Sequence, residues 1–135
     1  MDLTSALAAL RERHEPSPIP ARLPTQDEID RAEASLGVSF PPDYRRYLSE
    51  SSDVAVPTLE PAVVTPDAGH RDLVGTAELA WEAGVPEDWL AFCADDGDYF
   101  CLDGDKVRFW SHDGAADEWW PDLATWIVEV WIERG

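Results

Sequence analysis

The chain has 135 residues, 44% of them hydrophobic and seven of them tryptophan, which suits one folded domain around one core and excludes a disordered polymer. Its 28 acids against 10 bases give a formal net charge of -18. That field repels phosphate backbones and anionic lipid and speeds encounter with a basic partner, so direct nucleic-acid or membrane binding is not expected.

The excess is uneven. Residues 1–50 carry 9 acids and 6 bases, whereas residues 51–135 carry 19 acids and 4 bases, with Lys106 as the only lysine. Such charge also serves plain solubility, so it names no partner by itself. Met1–His14 does not read as an export signal: Asp2 comes early, and the short apolar stretch Ala6–Leu10 runs into Arg11, Glu12 and Arg13. No run approaches the roughly 20 apolar residues of a membrane span. A cytoplasmic location is expected, with Cys93 and Cys101 reduced and buried, since two cysteines without CxxC spacing suit neither a disulfide framework nor zinc.

Asp2–Arg13 reads as a first helix, with Leu3, Leu7 and Leu10 at helical spacing. A connector rich in proline, residues 16–24, separates it from a core at 25–135. Thr25-Gln26-Asp27-Glu28 has the form of a capping box, and Ile29, Ala32, Glu33 and Leu36 fall on one stripe before Gly37 stops the helix. Pro41-Pro42 opens a third helix carrying Tyr44, Tyr47 and Leu48 at i, i+3, i+4, where core packing of the tyrosines outweighs a ligand platform.

From Ser51 the period changes to two. Val54 and Val56, then Ala62 and Val64, predict short or edge strands limited by Pro57, Pro61 and Pro66. Thr76 is a candidate cap for a short helix, Ala77–Glu82, ending near Gly84. The clearest strands are Leu90–Ala94, Tyr99–Leu102 and Val107–Trp110, joined by Asp/Gly hairpin turns into an antiparallel meander. A final helix, Asp122–Glu133, carries Leu123, Trp126, Ile127, Val130 and Trp131 on a wide apolar face that must lie on the sheet.

Thr25-x-x-Glu28-Ile29, Glu33, Leu36-Gly37-Val38-x-Phe40-Pro41-x-Asp43-Tyr44-x-x-Tyr47-Leu48 resembles the signature of the SUKH superfamily, the Smi/Knr group of fungal cell-wall regulators and bacterial immunity proteins. Asp96–Leu102 followed by Val107–Asp113 is similar to that group's hairpin, and the tryptophan-rich closing helix matches as well; Asp53–Trp81 departs from the pattern. The resemblance implies an α+β fold, an antiparallel β-sheet meander with N-terminal helices and a C-terminal helix packed on it. It assigns Thr25, Glu28, Leu36, Gly37, Phe40, Pro41, Tyr44 and Leu48 to a structural motif. For bacterial members it implies non-catalytic neutralisation of a toxin, often a nuclease.

The chemistry readings are weaker. Asp95, Asp96, Asp98, Asp103 and Asp105 lack the ligand spacing of a calcium loop, and they fall at two turns expected at opposite ends of the sheet. A paired-carboxylate hydrolase could be drawn from almost any two of 28 acids. His14, His70 and His112 belong to no nucleophile motif, although His112-Asp113 could be more than a turn at a strand end. No metal or cofactor is expected, and no catalysis.

Asp117-Glu118-Trp119-Trp120 is the most informative segment. Neighbouring side chains diverge, so both rings cannot enter one core. Either one ring is an exposed aromatic anchor in an acidic rim, or Trp119 packs on the final helix while Trp120 staples Pro121. The expected partner is another protein, a basic toxin domain, met through Asp95, Asp96, Asp98, Asp103, Asp113, Asp117, Glu118, Trp119 and Trp120 by a monomer or weak dimer. A regulatory scaffold for an endogenous protein and a small-ligand protein or hydrolase are the alternatives.

Overall fold

The computed structural model describes residues 1–114 and 116–134. Helix α1 (Leu3–Glu12) starts where the Asp2 carboxylate accepts from the Ser5 N–H at 2.7 Å. Helix α2 (Gln26–Leu36) has both halves of the capping box: Thr25 Oγ1 accepts from the Glu28 N–H and Glu28 accepts from the Thr25 N–H. Gly37 ends it at φ 67°, the left-handed conformation that costs glycine least. Helix α3 (Pro42–Ser51) follows at once. The Glu33 carboxylate fixes that corner by accepting from the Phe40 N–H at 2.6 Å and pairing with Arg45.

Residues 54–64 are not the strands that their alternation predicts. Val54, Val56, Ala62 and Val63 are buried, but the only ladder contact this segment makes among the described residues is one parallel bridge, Val63 to Asp72. The prolines explain this, because each removes a donor from any ladder. The segment is held instead by single bonds, from Ala62 N–H to Phe92 C=O (2.7 Å) and from the Trp131 ring N–H to Val56 C=O (3.0 Å). Helix α4 (Leu73–Ala83) is longer than expected. Its cap is Asp72, which accepts from the Gly75 N–H, and Thr76 lies buried inside the helix.

The sheet has the order β1 (Leu90–Asp95), β2 (Asp98–Asp103), β3 (Lys106–Trp110) and β4 (Trp119–Trp120), antiparallel throughout. A bulge at Phe92 breaks the register between Ala91 and Cys93. Helix α5 (Leu123–Trp126), capped by Asp122, continues as a π-helical stretch Ile127–Ile132 across one face of the sheet. Trp126 packs edge-on to Phe92 and Phe100, with centroids 4.9 and 5.3 Å away, and Trp120 also meets Phe100 at 5.8 Å. Leu3, Leu7 and Leu10 of α1 and Tyr44, Tyr47 and Leu48 of α3 complete the same core. The architecture is thus the α+β meander, with α1, α3 and α5 packed in the core on its inner face. No described helix is long and apolar enough to cross a membrane.

Candidate functional site

Strand alternation sorts the sheet into two faces. Leu90, Phe100, Leu102, Val107 and Trp120 point inward, under α5. Ala91, Tyr99, Cys101, Arg108, Trp110 and Trp119 point the other way. The end of α4 and the turn after it cover only part of this outer face. Ala80 and Val85 bury Ala91 and Cys101, with Trp81, Trp89, Tyr99 and Trp110 packed around them. The Trp81 ring N–H donates to Trp89 C=O at 3.0 Å. Gly84 ends α4 at φ 118°, the left-handed region that favours glycine, and an added Cβ would stand 3.5 Å from the Trp110 ring, an ordinary contact, so the backbone conformation rather than space calls for glycine there.

Beyond that cover the outer face carries aromatic rings and two cations. Arg108 sits over Trp89 at 5.6 Å and binds Asp103 at 2.7 Å. Lys106 Nζ lies 5.3 Å above the Trp119 ring. Trp119 is 52% exposed and its neighbour Trp120 only 5%. The packing alternative is therefore reversed: Trp120 meets the core under α5, and Trp119 is turned to solvent. One ring face of Trp119 already has a cation from its own chain.

The acids do not form one patch. Glu118 has the opposite parity to Trp119, and it pairs with Arg134 (2.8 Å), which lies over Trp120. Asp95, Asp96, Asp98 and Asp113 gather at the end of the sheet marked by the β1–β2 turn, where Asp96 and Gly97 both take positive φ (53° and 89°). Asp103 lies at the other end, because consecutive hairpins turn at alternate ends. At the first tip the Asp98 carboxylate accepts from the His112 backbone N–H (3.1 Å) and meets its ring Nδ1 (2.7 Å), while Nε2 stands 3.3 Å from Asp113. The backbone bond, reinforced by the ring, lowers the Asp98 pKa, and the Asp98 hydrogen bond, then the field of Asp113, raises that of His112. Asp95, Asp96 and Asp117 are exposed and form no ion pair among the described residues.

The motif residues sit in the scaffold. Arg22 grips the Glu28 carboxylate with two bonds (2.8 and 2.7 Å), which with the capping bond from Thr25 brings its pKa down to about 2. Phe40 packs edge-on to Tyr44, Leu48 is fully buried, and Leu36 and Pro41 are half-buried beside them. Sequence reading missed Tyr99, Arg108, Trp110 and Trp89 as one surface, although the period of two in β2 and β3 was enough to place the first three on one face.

The groups that shift do not resemble a poised acid–base pair. Asp2, Glu28 and Asp98 move down and His112 moves up, each toward its charged form. Burial pushes the thiols of Cys93 and Cys101 up to about 12, away from nucleophilic thiolate. Among the described residues no three His, Cys, Asp or Glu side chains converge to hold a metal ion.

No curated protein matches the chain. A solved structure described as a protein from Pseudomonas syringae pv. tomato is similar, with 33% identity and a TM-score of 0.90 over 96% of this chain and 98% of that one. The SUKH_5 family, described as SMI1-KNR4 cell-wall, matches residues 3–132, from α1 through the π-helical end. The chain belongs to the SMI1-KNR4 family.

Proposed function

We propose that this chain is an immunity protein that neutralises a basic toxin by direct, non-catalytic binding.

 

The observation that carries this reading is the outer sheet face, where Trp119 stands half-exposed beyond the cover of α4 and Trp89, Tyr99 and Trp110 stay partly exposed around the Ala80 and Val85 contact. Rigid aromatic side chains of this kind anchor protein interfaces at low entropic cost. Membership of the family and a net charge of -18 support a basic protein as the occupant. The cytosol is the compartment in which such a partner would be met.

The test is to co-express the chain with whatever basic toxin domain the neighbouring genes encode, followed by calorimetric titration. A 1:1 complex is expected, with an affinity that falls steeply as salt is raised. Binding indifferent to salt, or a toxin that stays active and unbound, would sink the reading.

A further inference from the structure

The free edge of the sheet carries more information than its face. Arg108 stands opposite Trp119, and Phe109 N–H donates to Glu118 C=O at 3.1 Å. In an antiparallel ladder this makes Arg108 and Trp119 a non-hydrogen-bonded pair, so the N–H and C=O of Trp119 point away from β3. Neither has a hydrogen-bond partner among the described residues. The opposite edge differs, since Phe92 C=O of β1 already accepts from Ala62.

The next residue whose N–H the same parity would turn outward is Pro121, which has none. The open ladder therefore stops there and is confined to the stretch around Asp117–Trp119. Natural edges are commonly guarded by lysine. Here Ser111–Asp122 contains Asp113, Asp117, Glu118 and Asp122 and no lysine or arginine; Glu118 is paired with Arg134 and Lys106 lies over the Trp119 ring, which leaves Asp117 as the exposed acid without an ion pair among the described residues. Two such edges repel each other, which disfavours a second copy of this chain and favours a basic segment.

We propose that the β4 edge accepts an extended, basic segment of the partner as a fifth strand, bonded to the backbone of Trp119 and flanked by Asp117. This rests on the reading of the chain as a binder of a basic protein and adds the mode of recognition.

The probe is a synthetic peptide of alternating lysine and valine, about ten residues long, followed by amide exchange in NMR. In the free chain the Trp119 N–H exchanges as an open amide, while that of Trp120, directed at β3, is protected. With peptide, Trp119 exchange slows by about tenfold or more, and Trp119→Pro, which deletes the donor, binds about tenfold more weakly than Trp119→Ala. A Trp119 amide already protected in the free chain, an amide the peptide leaves unchanged, or equal binding by the two variants overturns the proposal. The exchange measurement uses the native chain, so it decides even if the proline variant does not fold. A toxin bound equally by both variants removes the edge and leaves the immunity reading; a peptide that protects Trp119 while no toxin binds removes that reading and leaves the edge.

Discussion

The two faces of one four-stranded sheet solve opposite problems with the same residue type. On the inner face Trp120 and Trp126 close over Phe100, inside a core that α1, α3 and α5 complete. On the outer face Trp119, Trp89 and Trp110 stay partly in solvent, two of them beneath a cation. Adjacent residues 119 and 120 belong to different environments because a strand alternates. An aromatic-rich sequence therefore does not by itself mean a large core; the side of the pleat decides what each ring does.

The sharpest way to break this comparison is to truncate the neighbours. Trp120→Ala is expected to destabilise by about 3–5 kcal/mol, as large buried rings do. Trp119→Ala is expected to cost under about 1 kcal/mol, since it gives up an exposed ring and one cation contact. Urea denaturation checks both, and equal losses would mean that the outer face is part of the core. A second, smaller pair tests the scaffold. Thr25→Ala removes a cap and Gly37→Ala puts a Cβ at φ 67° with no atom within 4 Å to hinder it. Each is expected to cost about 1 kcal/mol, the first through a lost hydrogen bond and the second through backbone strain alone.

These elements were also the most legible in the sequence. The capping box, the Gly37 stop and the Asp-Gly hairpin are local rules written in consecutive residues, and the fold obeys them. Residues 54–64 misled because alternation records burial, and here burial occurs without a ladder. Helix α4 began early because Asp72, four residues before Thr76, is also a good cap. The short strand β4 was not legible: two residues give no period, and its existence depends on β3 lying beside it. The same long-range pairing splits Asp117 from Glu118, which adjacency in sequence suggests should act together.

That split can be tested on the complex with the proposed toxin. Asp117 is exposed and unpaired among the described residues, whereas Glu118 is tied to Arg134 on the other side of the pleat. Asp117→Lys is expected to slow association by about two- to tenfold at low salt, and Glu118→Gln to change it less. Stopped-flow rates at two ionic strengths distinguish them, and a larger effect at Glu118 would move the contact to the inner side of the edge.

The smallest expected effect lies at the hairpin tip, where the two faces meet. His112 has a pKa raised by the Asp98 hydrogen bond and by Asp113, and Asp98 a pKa lowered by the His112 backbone and ring. The signs follow from linkage. The His112 contribution is fully present below its unfolded value, about 6.5, and is lost as pH rises through the raised folded value. The Asp98 contribution is present above its unfolded value, about 3.9, and is lost as pH falls through the depressed one. The pair therefore ties β2 to the Ser111–Gly114 turn most firmly at mildly acidic pH. An NMR titration should place the imidazole above 6.5 in the native chain and bring it down in Asp98→Asn, because the neutral amide removes both the charge and the charged acceptor. An unchanged His112 titration in that variant would leave Asp113 as the source of the shift, and would make the tip an ordinary turn rather than a fastened one.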